Sequence, residues 1–172
     1  GRVCDMIKIN KIAKKYNLFV IEDSCHAVLA KYKNKFAGNF GHIGCFSMHP
    51  LKNLNVWGDG GMIVTNNKKF DYKLRLLRNH GLKNRNEIEI FGVNSRLDTI
   101  QAVVANHLLN KLDKITQLRR KNASYLDIHL KKIPEIFVHE RTSEKYEVFH
   151  IYSLQVKNRN KLNDFLRKNK ID

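Results

Sequence analysis

With 172 residues, 42% of them hydrophobic and 28% charged, the chain has the balance of a soluble globular protein and the length of one domain, with part of a second. No apolar run is long enough to span a bilayer, and the first residues do not form a signal peptide, so a membrane partner is not expected. The net charge of +16 raises nucleic acid as a partner, but the basic residues (Lys14 and Lys15, Lys68 and Lys69, Lys131 and Lys132) are scattered along the polar sides of expected helices without interleaved aromatics. An anionic small molecule is the better match to that charge.

Asp5 caps a first expected helix, in which Ile9, Ile12, Ala13 and Tyr16 recur at helical spacing and which Asn17 ends. Leu18 to Ile21 is a continuous apolar run, read as a strand buried on both faces in a parallel sheet and terminated by Glu22 and Asp23. Ligands of open α/β sheets bind beyond the carboxyl ends of strands. Asp23 is therefore placed either to meet a ligand or to cap a following helix, and His26 either joins it or is a buried, satisfied histidine. Cys4, Cys25 and Cys45 are odd in number and have no CxxC spacing, which points to a reducing, cytoplasmic setting and away from a disulfide framework or zinc site.

Tyr32 to His42 reads as a loop or hairpin. Ile43–Ser47 and Met62–Thr65 read as strands flanking a loop that carries Ser47 at its start and then Lys52, with Gly58, Gly60 and Gly61 supplying positive-φ positions in the turn. A lysine held between buried strands is placed for nucleophilic work, because desolvation favours the neutral amine; the alternative is a solvated lysine beside a tight turn. Leu74, Leu77 and Arg78 belong to a helix ending near Gly81. Ser95 with Asp98 resembles a capping pair that opens a long apolar stripe (Leu97, Ile100, Val104, Leu108, Leu112, Ile115, Leu118), expected to be one bridging helix or two with a kink, stopped by Pro134. Val148–Val156 alternates like a strand, and Asn158–Ile171 returns to helix. The chain opens on Gly1 rather than Met and closes just after this helical pattern, so both ends read as cut from a longer protein.

Four blocks, VIEDSCHA (20–27), GHIGCFSMHPLKNLNVWGDGGMIVTN (41–66), LRNHG (77–81) and GVNSRLDTIQAVV (92–104), with a weaker fifth, FHIYSLQVKNRNKL (149–162), together resemble the DegT/DnrJ/EryC1/StrS family of sugar-nucleotide aminotransferases. The resemblance implies an α/β, aspartate-aminotransferase-like fold (fold type I), with a mostly parallel sheet and flanking helices. It divides the chain into residues 1–118, the C-terminal part of a large domain that binds pyridoxal phosphate, and residues 119–172, a connecting helix and the start of a small α/β domain. Lys52 stands at the position of the family's Schiff-base lysine. Asp23 stands at that of the carboxylate on the pyridine nitrogen, and Ser47 at that of a phosphate-binding hydroxyl. Asn94 stands at that of an asparagine reaching the cofactor phosphate of the partner subunit in a homodimer. His26 falls where many members carry Gln beside the cofactor's ring oxygen, and His49 is either a substrate neighbour or structural. The implied activity is amino transfer from glutamate to a nucleotide-linked keto-sugar of the 3- or 4-keto-6-deoxy type. Related sugar dehydratases carry His in place of the lysine, so Lys52 favours transfer; a non-catalytic basic binding protein is the other alternative. Full-length members are roughly twice as long, so further cofactor contacts are expected outside these residues.

Overall fold

The computed structural model describes residues 1–171. Helix α1 (Met6–Lys15) begins where the Asp5 side chain accepts from the Lys8 backbone N–H at 3.1 Å. It ends as expected at Asn17, which takes φ +51°, letting Leu18 N–H return to the Ala13 carbonyl at 2.8 Å. The central sheet has three strands in the order β1 (Ile21–Asp23), β4 (Ile43–Ser47), β5 (Gly61–Val64), with β1 parallel to β4 and β4 antiparallel to β5. That single parallel pair carries the expected parallel character; every other strand pair among the described residues is antiparallel.

Two readings of this region change. Glu22 and Asp23 lie within the strand rather than after it, and the apolar run is not buried on both faces: Leu18, Phe19 and Ile21 are all exposed. The acids pair in register with Gly44 and Cys45, so they continue the ladder. Glu22 itself is buried, and its carboxyl accepts the backbone N–H groups of Gly38, Phe40 and Gly41. Those bonds pull the 38–41 loop onto β4. The approach is so close that a Cβ on Gly44 would lie 2.4 Å from Gly38 Cα, and Gly38 itself has φ +82°.

Between β1 and β4, strands β2 (Lys31–Tyr32) and β3 (Lys35–Phe36) form the expected hairpin, and a distant strand, β9 (Lys145–Tyr146), adds to β2. Helix α2 (Lys68–Leu77), capped by Asn67, ends at Arg78 instead of running to Gly81; the chain turns there through His80 (φ +57°) and Gly81 (φ +73°). A two-stranded ribbon, β6 (Leu82–Asn84) with β7 (Glu87–Ile88), follows. The long stripe divides into two helices, α3 (Thr99–Leu109) and α4 (Leu112–Leu130). Asp98 is the cap of α3, and its reciprocal partner is Gln101, whose Oε1 accepts the Asp98 N–H at 3.3 Å; Ser95 is not that partner. Beyond Pro134 come β8 (Ile136–Phe137), then β9, then β10 (Gln155–Val156), which pairs with β8, and finally α5 (Arg159–Lys168). Of the expected 148–156 strand, only β10 forms.

The apolar interior has two clusters. One gathers Val3, Met6, Ala27, Ala30, Tyr32, Ala37 and Val148 beneath α1 and the hairpin. The other packs Met48, Leu54 and Val56, from either side of Lys52, against Leu112 of α4, with Leu97 and Leu108 from the stripe. Each such side chain contributes on the order of 1.5–3 kcal/mol by leaving water. The lysine loop is therefore anchored at both ends, while Ile100 and Leu118 of the same stripe remain exposed.

Candidate functional site

Beyond Ser47 the chain leaves β4 but does not wander. Met48 N–H bonds to the Gly60 carbonyl at 2.8 Å, Val56 N–H bonds to the Met48 carbonyl at 2.9 Å, and the loop closes as a compact bulge. Of the turn glycines, only Gly58 takes positive φ, at +118°. Within the bulge, Lys52 N–H bonds to the His49 carbonyl at 2.8 Å, and Asn55 Nδ2 bonds to the Lys52 carbonyl at 3.1 Å. The backbone of Lys52 is thus held on both sides, and its side chain is half-buried. Among the described residues, no ion pair includes Lys52. Its charge nevertheless acts on Asp23, Cys25, His26 and His150.

Asp23 closes β1 with its side chain at the surface, and its Oδ1 accepts the Cys25 N–H at 3.1 Å. No helix follows, so the carboxylate caps a turn rather than a helix. Hydrogen bonds from the Cys25 thiol and backbone, then the charges of His26 and Lys52, hold the Asp23 pKa below the ordinary carboxylate value despite some desolvation. The Cys25 thiol moves the other way: burial and the Asp23 carboxylate push it up, so it is no activated nucleophile.

His26 is exposed, not the buried, satisfied histidine that the sequence allowed. Its ring lies against His150, with centroids 4.3 Å apart and planes tilted by 43°. Burial first, then Lys52, lowers its pKa. His150 is more strongly affected: burial, then His26 and Lys52, take its pKa to about 4, and its buried Nδ1 has no hydrogen-bond partner. Ser47 and His49 are neighbours through a weak bond, His49 N–H to Ser47 Oγ at 3.3 Å, which leaves the Ser47 proton free to donate elsewhere. His49 Nδ1 in turn accepts the Leu51 N–H at 3.2 Å, so part of its role is to shape the loop. Asn94 is not part of this group. It is exposed and bridges to Asn79 on the path from α2 to α3.

Sequence reasoning missed His150, Asn53 and Arg119. Asn53, next to Lys52, donates to the Val148 carbonyl at 3.0 Å, and Arg119 of α4 donates to the Phe149 and His150 carbonyls at 3.0 and 3.3 Å. The only signal was His150 itself, inside the weakest of the five sequence blocks. A concavity of about 880 Å³ lies elsewhere, lined in part by Phe46, Met62, Arg78 and Arg96; of the site residues Asp23, His26, Ser47, Lys52 and Asn94, none lines it.

Amine, carboxylate, hydroxyl and imidazole thus converge at the carboxyl ends of a parallel strand pair. The chain also has known relatives. The model of the DegT/DnrJ/EryC1/StrS aminotransferase family matches residues 1–172. The chain is 42% identical over 171 residues to the dTDP-3-amino-3,6-dideoxy-alpha-D-galactopyranose transaminase of Aneurinibacillus thermoaerophilus, covering 99% of this chain and 47% of that protein. It superposes on the crystal structure of S. venezuelae DesV in complex with a ketimine intermediate with TM-score 0.94 at 32% identity, covering 99% of this chain and 46% of the other. It also superposes on the E. coli GDP-4-keto-6-deoxy-D-mannose-3-dehydratase with bound hydrated PLP, with TM-score 0.89 at 26% identity, covering all of this chain and 50% of the other. The chain therefore spans about half the length of the relatives it matches.

Proposed function

Because this chain belongs to the DegT/DnrJ/EryC1/StrS aminotransferase family, we propose that the whole protein is a pyridoxal-phosphate-dependent enzyme that moves an amino group from glutamate to a nucleotide-linked keto-sugar in amino-deoxy-sugar biosynthesis. The observation that carries the reading is the placement of Lys52, half-buried and outside any ion pair among the described residues, in the field of an Asp23 carboxylate held ionised.

This donor set fits the cofactor. Lys52 offers an amine for covalent attachment. Asp23 offers an anion for a protonated ring nitrogen, and its lowered pKa keeps that anion present at neutral pH. Ser47 offers a hydroxyl proton to phosphate, and His26 sits beside the lysine to meet the ring. When bound, pyridoxal phosphate supplies an electron sink that weakens a carbon–hydrogen bond next to an amine. The chain's own part is to hold that sink and, with the Lys52 amine, to take a proton from the donor's carbon in one half of the reaction and to give one to the sugar's carbon in the other. His49, at the mouth of the loop, is assigned to substrate. Asn94, exposed and apart from the Lys52 group, is assigned to the cofactor phosphate in the partner subunit's site of a homodimer. Residues 1–118 then belong to the cofactor-binding domain, and residues 119–172 form the connecting helix and the start of the small domain. The charge of +16 suits a substrate bearing two phosphates, and the setting is cytoplasmic; no helix among the described residues is long and apolar enough to cross a membrane.

The purified whole protein is expected to absorb as a bound pyridoxal cofactor, with borohydride fixing the chromophore to Lys52. Lys52→Ala should be colourless and lose transfer from glutamate across a panel of keto-sugar nucleotides. A whole protein that binds no pyridoxal phosphate overturns the reading, and dehydration of the sugar without amine gain overturns the assignment of transfer.

A further inference from the structure

His150 lies next to the proposed site but belongs to none of its assigned roles. It comes from the far end of the sequence, and an unusual amount of the structure goes into presenting it. The preceding residue, Phe149, holds φ at +48°, a left-handed conformation that costs a non-glycine residue free energy unless its surroundings impose it. The carbonyls of four successive residues, 147–150, are each taken by a side chain: Glu147 by Arg120 at 2.7 Å, Val148 by Asn53 at 3.0 Å, and Phe149 and His150 by Arg119 at 3.0 and 3.3 Å. None of these bonds belongs to a strand ladder. One of them, from Asn53, ties the segment to the residue beside Lys52, across 95 positions of sequence. The result is one imidazole, half-buried with an unpartnered Nδ1, laid on another at 4.3 Å next to the lysine.

We propose that His150 is a positioning residue: it packs at a tilt against His26, covers that side of an otherwise exposed ring and fixes its plane beside Lys52, with Asn53 and Arg119 locking the 147–150 segment in the register this requires. The inference rests on the proposed reading only in taking the Lys52 side of His26 as the working side. The consequence is an uncharged His26. It faces Asp23, Lys52 and His150; His150 faces His26, Lys52 and Arg119. A proton on His150 would meet the cations Lys52 and Arg119 with no anion beside it, while one on His26 would meet both Lys52 and Asp23. An uncharged imidazole both donates and accepts a hydrogen bond, whereas the protonated ring only donates. His26 held neutral therefore presents one donor and one acceptor to whatever lies against Lys52.

The test is the titration of the His26 ring followed by NMR in the whole protein, with folding checked by circular dichroism. In His150→Ala the cover is lost, and the His26 midpoint should rise by about 0.5–1 pH unit as water reaches the ring. In His150→Phe a ring remains, and the midpoint should stay within about 0.2 unit of the native value. If His150→Ala fails to fold, His150→Gln is expected to show the same rise. A folded Ala or Gln variant with an unmoved His26 midpoint overturns the proposal, as does a Phe variant that shifts as far as Ala. The native and variant titrations are compared in the cofactor-free whole protein, so the shift is read independently of cofactor binding. A protein that never binds pyridoxal phosphate but shows the shift defeats the functional reading alone, and a cofactor-binding protein without the shift defeats only this one.

Discussion

Two buried glutamates frame the Lys52 site, and they are satisfied by different chemistry. Glu22, on β1, is 7% exposed and spends its carboxyl on three backbone N–H groups of the 38–41 loop. Glu147, on the segment that leads to His150, is 5% exposed and meets side-chain cations instead: Arg141 Nη1 at 3.0 Å on one oxygen and Arg2 Nε at 3.6 Å near the other, which has no hydrogen-bond partner. Arg141 extends the second arrangement to Asp127 of α4 through two bonds of 3.0 and 3.1 Å, and Tyr152 adds a third at 2.6 Å. Backbone donors have no charge to lose and no rotamers to order. A side-chain network has both, and it responds to salt and pH. The Asp23 side of the site is thus set by fixed geometry, and the His150 side by a network that conditions can loosen.

The sharpest way to break this contrast is to remove each tie. Glu22→Leu keeps the volume but leaves three N–H groups without acceptors, at about 1–3 kcal/mol for each one that water cannot reach. We expect a loss of about 3–4 kcal/mol in urea unfolding, insensitive to salt. Arg141→Leu strips the cation from Asp127 and Glu147. Fully buried pairs cost about 3–5 kcal/mol to break, and because Arg141 is 26% exposed the loss should be nearer 2–3 kcal/mol, smaller again at 1 M salt where the native pairing is already weakened. Equal salt sensitivity in the two variants would erase the distinction.

The same contrast separates what the sequence discloses from what it hides. The caps at Asp5 and Asn17, the hairpin after residue 30, the break in the long stripe and the Lys52 bulge are local: a few neighbouring residues specify each one. The placement of Asp23 at the end of a strand and of Lys52 on the loop between two strands was legible for that reason. Glu22 looked like a strand terminator because its partners are backbone amides, which leave no mark in the sequence. The β1 run is apolar enough for a doubly buried strand; in this chain, about half the length of its relatives, Phe19 is 75% exposed. His150 and its fastening were invisible because every tie is long-range, from Arg120–Glu147 at a separation of 27 to Asn53–Val148 at 95, and no periodicity spans such distances.

The smallest expected effect is the most specific, since it follows only the side of the site held by the network. The folded-state pKa of His150 is lowered from the usual 6.5 to about 4, chiefly by burial. Between those values the unfolded chain binds a proton that the folded chain refuses, so stability is full above about pH 6.5 and falls as the pH drops towards 4. Asp127 adds a later step of the same sign. Burial raises its pKa, but hydrogen bonds from Arg141 and Tyr152 outweigh burial and hold it below the ordinary 3.8, so its contribution is present above that value and is lost on further acidification. Both groups lie on or against the 141–152 segment. Acid should therefore open that segment before the strand side: amide exchange at Val148, whose N–H bonds to the Gly1 carbonyl, should lose protection between pH 6.5 and 4 after correction for intrinsic rates, while Gly38, held by Glu22, keeps its own. In His150→Phe the early loss at Val148 should vanish and the later one remain. Parallel loss at Val148 and Gly38 would mean that the two sides open as one unit.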